Sequence, residues 1–217
     1  MIIKEGLRNI KTFIFFSLGF FIIGGYFDFE FFYFLGVLFF IFTIFSFYFF
    51  RNPKRKIIIK ENEILCPCDG KIIEIITEYN EILQQDCKVI RVFLSIFNVH
   101  VQRVPINGEI VKIEYKKGKF LPAMDKIAHI ENEQNLVLFA DTQDTYKKIL
   151  CIQIAGLIAR TIVMWKNIGE KVSIGDLYGM IKFGSQVDIY IPANVAIKVN
   201  QGQKIFGGLT ILGNWDN

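Results

Sequence analysis

Hydrophobic positions along the chain follow two different rules. From Thr12 to Phe27, and again from Phe31 to Phe50, no charged residue interrupts the sequence. At 1.5 Å of rise per helical residue the second run is about 30 Å long, enough to cross the hydrocarbon core of a bilayer, and the first about 24 Å. The shorter run has to borrow flanking residues, thin the bilayer or lie re-entrant. Asp28 and Glu30 separate the two runs, so the pattern predicts a tight helical hairpin, transmembrane or re-entrant. After Pro53 the rule changes to short segments of alternating apolar residues. "KIIEIITEY", "KVIRVFLSIF", "GEIVKIEY", "NLVLFA", "ILCIQIAGLIARTIVMW" and "VDIYIP" stand between Gly, Pro, Asn and Asp and predict strands. The expected fold is therefore mainly β. Residues 1–56 form a membrane-anchoring hairpin with basic flanks, and residues 57–217 form a barrel-sandwich-like body.

Two internal repeats support the barrel-sandwich expectation. "PCDGKIIEI" (67–75) and "PINGEIVKI" (105–113) share P-x-[DN]-G-x-I-[IV]-x-I, and "GEKVSIG" (169–175) and "GQKIFGG" (202–208) share G-[EQ]-K-[VI]-x-x-G. Each places a turn glycine ahead of a strand, as two half-barrels related by pseudo-symmetry would require. The second spacing also resembles the barrel-sandwich modules of biotinyl and lipoyl carriers.

Composition adds the compartment. Of 23 Phe residues, 17 lie in the first 50 positions, which marks a membrane segment attached to a soluble body. Lys4, Arg8 and Lys11 precede the first apolar run, and Arg51, Lys54, Arg55 and Lys56 follow the second. Cationic outer flanks with acidic residues at the tip place both termini, and the body, on the cytoplasmic side of the cell membrane. A cleaved signal peptide fits poorly, because a second long run follows and no small-residue cleavage site is evident. The net charge of +4, with its cluster beside the membrane, favours anionic lipid and argues against nucleic acid. Cys66, Cys68, Cys87 and Cys151 are expected as free thiols, and Cys66-Pro67-Cys68 lacks zinc-knuckle spacing, so no metal is expected.

Three residues could carry chemistry together, although each has a plain structural reading alone. Asp69 before Gly70 fits a turn, His100 sits inside an alternating strand, and Ser185 follows a glycine at a strand head. An acid, an imidazole and a hydroxyl on separate β elements could converge as a Ser-His-Asp set, His100 taking the Ser185 proton and Asp69 holding its tautomer. No G-x-S-x-G elbow is present, which argues against an acyl-transfer hydrolase. The distinctive feature is Gly184, whose carbonyl is sterically open to the adjacent hydroxyl.

From end to end the chain resembles the short form of the phosphatidylserine decarboxylase family. The resemblance rests on "FFRNPKR", "CPCDGKI", "SIFNVHVQRVPINGEI", "YKKGKF", "ENEQN", "IQIAGLIARTIV" and "GEKVSIGDLYGMIKFGSQVDIYIP" in family order and spacing. It implies autocatalytic serinolysis. Ser185 Oγ attacks the Gly184 carbonyl, and elimination and loss of ammonia leave a covalently bound pyruvoyl group at position 185. The products would be a β chain, residues 1–184, and an α chain, residues 185–217, that stay associated. By the same resemblance the pyruvoyl group forms a Schiff base with phosphatidylserine and promotes its decarboxylation to phosphatidylethanolamine. Side chains offer no comparable electron sink. Longer relatives carry two histidines in the segment matching "NVHVQR"; here only His100 stands there, with Arg103 near the second position. His100 then serves one step or both. His129 and the Lys116, Lys117 and Lys119 cluster fit solvated positions, although the lysines could also meet headgroup phosphates.

Two other readings remain at this stage. One is a decarboxylase acting on a different serine-headgroup lipid. The other is a non-enzymatic, membrane-tethered adaptor, which would leave Gly184-Ser185 unexplained and has no Met-Lys-Met carrier hairpin, Met124-Asp125-Lys126 being only a superficial echo.

Overall fold

A computed structural model describes residues 1–60, 62–122, 125, 127–144, 146–157, 161–182 and 184–215, so Met124 and Lys126 lie outside the described residues. The chain divides into two compact units, residues 1–54 and 55–217.

The first unit is a hairpin of α1 (Lys4–Phe27) and α2 (Glu30–Phe49). Asp28 reverses the chain in the left-handed region, with φ 49° and ψ 46°. Small residues line the seam between the helices: Ser17 and Gly24 on one side, Gly36, Thr43 and Ser46 on the other, all buried. Ser17 Oγ donates to the Gly36 carbonyl at 2.9 Å, and a Cβ on Gly36 would stand 2.9 Å from the Phe21 ring. Most of the large side chains face outward, Phe15 being 73% exposed and Phe34 64%. Small residues inside and aromatics outside is the arrangement a lipid solvent favours, because helix packing there depends on close approach rather than on hiding apolar surface. Both helices are long and apolar enough to cross a membrane.

The second unit is mainly β. Its elements are β1 (Glu63–Leu65), β2 (Gly70–Asn80), β3 (Gln85–Leu94), β4 (Val101–Arg103), β5 (Gly108–Lys116), a single helical turn α3 (Ala128–Glu131), β6 (Gln134–Ala140) and β7 (Lys148–Ile154). They continue with β8 (Thr161–Met164), β9 (Lys171–Val172), β10 (Leu177–Lys182), β11 (Ser185–Pro192), β12 (Ala196–Ile197), β13 (Lys204–Ile205) and β14 (Ile211–Asn214). The expected single strand over "ILCIQIAGLIARTIVMW" is two, β7 and β8. Extended pairing ends after Ile154, ahead of Ala155-Gly156, and residues 158–160 of that segment lie outside the described residues.

A curled sheet in the order β13-β2-β3-β11-β7-β6-β5-β9 is joined by two three-stranded sheets, β1-β14-β12 and β4-β10-β8. This order reads as two halves related by a pseudo-twofold between β11 and β7. The repeats in the sequence are its cause. Gly70 at the head of β2 pairs with Ile205, and Gly108 at the head of β5 pairs with Val172. Both hairpins bulge at the same step, between Ile72 and Glu74 and between Ile110 and Lys112. Gly208 N–H donates to the Cys66 carbonyl and Gly175 N–H to that of Val104, each at 2.9 Å. Leu65 N–H and Arg103 N–H then cross between the halves to the carbonyls of Pro105 and Pro67. The main core, including Ile72, Val92, Val187, Ile189, Phe139 and Cys151, fills the interior along this axis.

Candidate active site

Ser185 opens β11, a strand buried along its whole length and hydrogen-bonded on both sides, to β3 and to β7. Alternation sends Ser185, Val187 and Ile189 to the core face, and Gln186, Asp188 and Tyr190 to the other. The serine is fully buried, and among the described residues its Oγ has no hydrogen-bond partner. A buried hydroxyl without a partner is costly, and such a group calls for a functional reason. Gly184, just before it, has φ +73°, in the left-handed region where L side chains are strained. A Cβ there would still have room, the nearest atom among the described residues apart from its chain neighbours being Ile96 Cγ2 at 3.6 Å.

His100 is brought to this peptide. Its Nε2 accepts the Gly184 N–H at 3.3 Å, and its Nδ1 lies 3.0 Å from the Asn98 carbonyl. A carbonyl only accepts, so Nδ1 carries the proton in the neutral ring and Nε2 presents its lone pair to the Gly184 N–H. The Asn98 carbonyl is placed by a tight turn. Asn98 Oδ1 accepts from both Ser95 N–H and Ser95 Oγ, each at 2.9 Å, and Asn98 N–H returns to the Ser95 carbonyl at 2.9 Å.

Asp69, the acid of the expected Ser-His-Asp set, is paired with Arg55. Its two oxygens are engaged by Arg55, at 2.5 and 2.7 Å, and Oδ1 also accepts Gly207 N–H at 2.9 Å. Arg55 in turn donates to the Gly207 carbonyl. Arg103 lies close enough for the Arg55 charge, after its own burial, to hold its pKa below the usual value. It bonds the Gly175 carbonyl at 3.0 Å. The other half of the fold shows what the turn alone requires. There Asn107 stands in place of Asp69, and its Oδ1 accepts Ile174 N–H at 2.8 Å. Asparagine suffices for that bond, so the charge of Asp69 serves Arg55. Arg55 was hidden in the sequence among the lysines flanking the apolar run, and the Asn98 carbonyl is a backbone group that no sequence motif displays.

By the same relation Lys147 occupies the place of Ser185, and Asn62 that of His100; Lys147 Nζ donates to Asn62 Oδ1 at 2.8 Å. A cavity of about 300 Å³ opens there, lined by Asn62, Asn107, Asp141 and Lys147 among others, and contains none of the three expected catalytic residues. Asp69, His100 and Ser185 are thus replaced by Asn107, Asn62 and Lys147 in the other half. His129 sits on α3, in the intermediate exposure range, and Lys117 and Lys119 are exposed. The four cysteines are free and buried, and burial pushes the thiols of Cys68 and Cys151 up, away from the reactive thiolate form.

A family description of phosphatidylserine decarboxylase matches residues 42–213. A protein of Geobacter metallireducens is 42% identical over 182 residues, covering 84% of this chain and 83% of its own. One of Geotalea uraniireducens is 41% identical over 179 residues, covering 82% and 83%, and one of Burkholderia vietnamiensis is 42% identical over 169 residues, covering 78% of each. All three are named phosphatidylserine decarboxylase proenzyme. This chain is thus an enzyme, a carboxy-lyase. It belongs to the phosphatidylserine decarboxylase family.

Proposed function

We propose that this protein converts phosphatidylserine to phosphatidylethanolamine after cutting its own chain between Gly184 and Ser185. The observation that carries the reading is the buried, unpartnered Ser185 Oγ beside a left-handed glycine whose N–H rests on His100 Nε2. His100 Nε2 accepts the Ser185 proton, and Oγ attacks the Gly184 carbonyl, so the peptide bond becomes an ester. Loss of the Ser185 α-proton expels the Gly184 carboxylate and leaves a dehydroalanyl residue. Water then replaces its nitrogen, which departs as ammonia. The resulting pyruvoyl group supplies an electron sink for loss of carbon dioxide from a substrate held through its amine.

The site fits such a group. Its future α-carbon lies at the head of a strand hydrogen-bonded on both sides, so the segment from Ser185 stays in place after the cut, and the two chains remain one body. The carbonyl of Asn98 keeps His100 in the tautomer whose Nε2 is an acceptor, and Asp69 holds Arg55 and the Gly207 turn. The hairpin suits a two-tailed substrate that cannot leave the bilayer cheaply, and its cationic outer flanks support a cytoplasmic position for the body.

Intact mass and a denaturing gel test the reading. Active protein should run as a large chain ending at Gly184 and a small chain from Ser185 blocked to N-terminal sequencing, and Ser185→Ala should remain one chain. Active wild-type protein with the mass of the uncut chain would refute it.

A further inference from the structure

Close to Ser185 the interior holds an amide ladder with no counterpart across the pseudo-twofold. Asn135 Nδ2 donates to Gln153 Oε1 at 2.7 Å, and Gln153 Nε2 donates to Gln102 Oε1. Gln102 and Gln153 are fully buried and Asn135 nearly so. The ladder ends at Gln102 Nε2, a buried donor with no partner among the described residues. Gly179 makes room for it, since a Cβ there would stand 2.8 Å from Gln153 Nε2.

The other half of the fold is an internal control. Counting along matched strands, Gln102 corresponds to Ile64 and Gln153 to Ile191, both fully buried members of the main core. The architecture therefore accepts two isoleucines where this half buries two amides. A hydrogen-bonded pair of glutamines is no better for stability than apolar packing, and an orphaned donor is worse. The ladder also lies where the reaction would occur. Gln102, in β4, is two residues beyond His100, and Gln153 pairs across from Val187, two residues beyond Ser185.

We propose that Gln102 Nε2 is the donor that receives the α-carboxylate of the substrate's serine headgroup, with Gln153 and Asn135 fixing its orientation. The inference rests on the reading of Ser185 as the reacting position. A neutral donor suits this carboxylate. It supplies one hydrogen bond that recognises the anion, whereas a cation there would stabilise the charge that must leave as carbon dioxide. Specificity for an amino acid headgroup over a plain amine would then reside in this amide.

The test uses the full-length protein in vesicles of phosphatidylserine or of phosphatidylethanolamine, with borohydride added and the mass of the small chain read. Both lipids carry the reacting amine, but only the first carries a carboxylate. Gln102→Glu keeps the acceptor for Gln153 and removes the donor; Gln102→Ile with Gln153→Ile copies the packing of the other half. Each variant should still be cleaved, should lose about 10- to 100-fold in fixation of phosphatidylserine, and should fix phosphatidylethanolamine as the wild type does. Equal losses on both lipids, no loss on phosphatidylserine, or failure of both variants to cleave would overturn the proposal. Fixation of neither lipid by cleaved wild-type protein would instead refute the reading of Ser185, and this inference with it.

Discussion

Substitution at Gly184 separates conformation from crowding at the cleavage peptide. The residue has φ +73°, yet among the described residues an added Cβ would meet nothing closer than Ile96 Cγ2 at 3.6 Å, an ordinary contact. Any penalty for alanine must therefore come from the backbone. Holding a non-glycine residue in the left-handed region costs about 1–2 kcal/mol, which is about 5- to 30-fold in the population of the geometry seen here. Asparagine tolerates this region better, and a β-branched residue tolerates it least. If the left-handed geometry is the one that exposes the carbonyl to Ser185 Oγ, the cleavage rate should fall in the order Gly, Asn, Ala, Val. Alanine should be slower than glycine by about 5- to 30-fold. The assay is a time course of uncut chain on a denaturing gel after synthesis, with intact mass confirming the cut. Equal rates for glycine and alanine would show that the left-handed conformation is not required. A rate for valine above that of alanine would refute the argument outright.

Other expectations follow from the same geometry. His100→Ala removes the group facing Gly184 and should slow cleavage by about 10²–10⁴-fold, read from the accumulation of uncut chain; cleavage at the wild-type rate would remove His100 from the base role. Asp69→Asn keeps the bond to Gly207 but strips Arg55 of its buried counter-charge, so stability should fall by about 3–5 kcal/mol in urea titrations of the full chain in detergent. Slow cleavage at unchanged stability would return Asp69 to orienting His100. Burial raises the carboxyl of Asp188 to about 7, against an opposing pull from Gln186 and Arg91. The folded protein thus holds that proton more tightly than the unfolded chain. The carboxyl costs nothing below about pH 4, and stability is lost progressively as pH rises from there through about 7. Asp188→Asn should flatten that slope, by at most about 4 kcal/mol at pH 8; an unchanged slope would refute the assignment.

The sequence alone determined the elements whose signals are local. Two charge-free runs separated by Asp28 and Glu30 specified the hairpin, because long apolar runs without strand alternation read as helices and the acidic break marks the turn. Period-two alternation between turn residues specified the strands, and the paired glycine motifs specified the pseudo-twofold. The Gly184-Ser185 peptide was also legible, since its chemistry depends on adjacent residues. Partner choice across the fold was not legible. Packing pairs Asp69 with Arg55, a residue that reads in the sequence as one more membrane-flanking cation. It also places the Asn98 carbonyl against the His100 ring. A carbonyl is present at every residue, so only its position in space distinguishes it. Gln102 and Gln153 likewise pass for ordinary strand residues until their positions are matched with Ile64 and Ile191 across the axis. Hydrogen bonds and ion pairs form between groups that meet at about 3 Å, and it is the three-dimensional packing of residues distant along the chain that decides which groups meet.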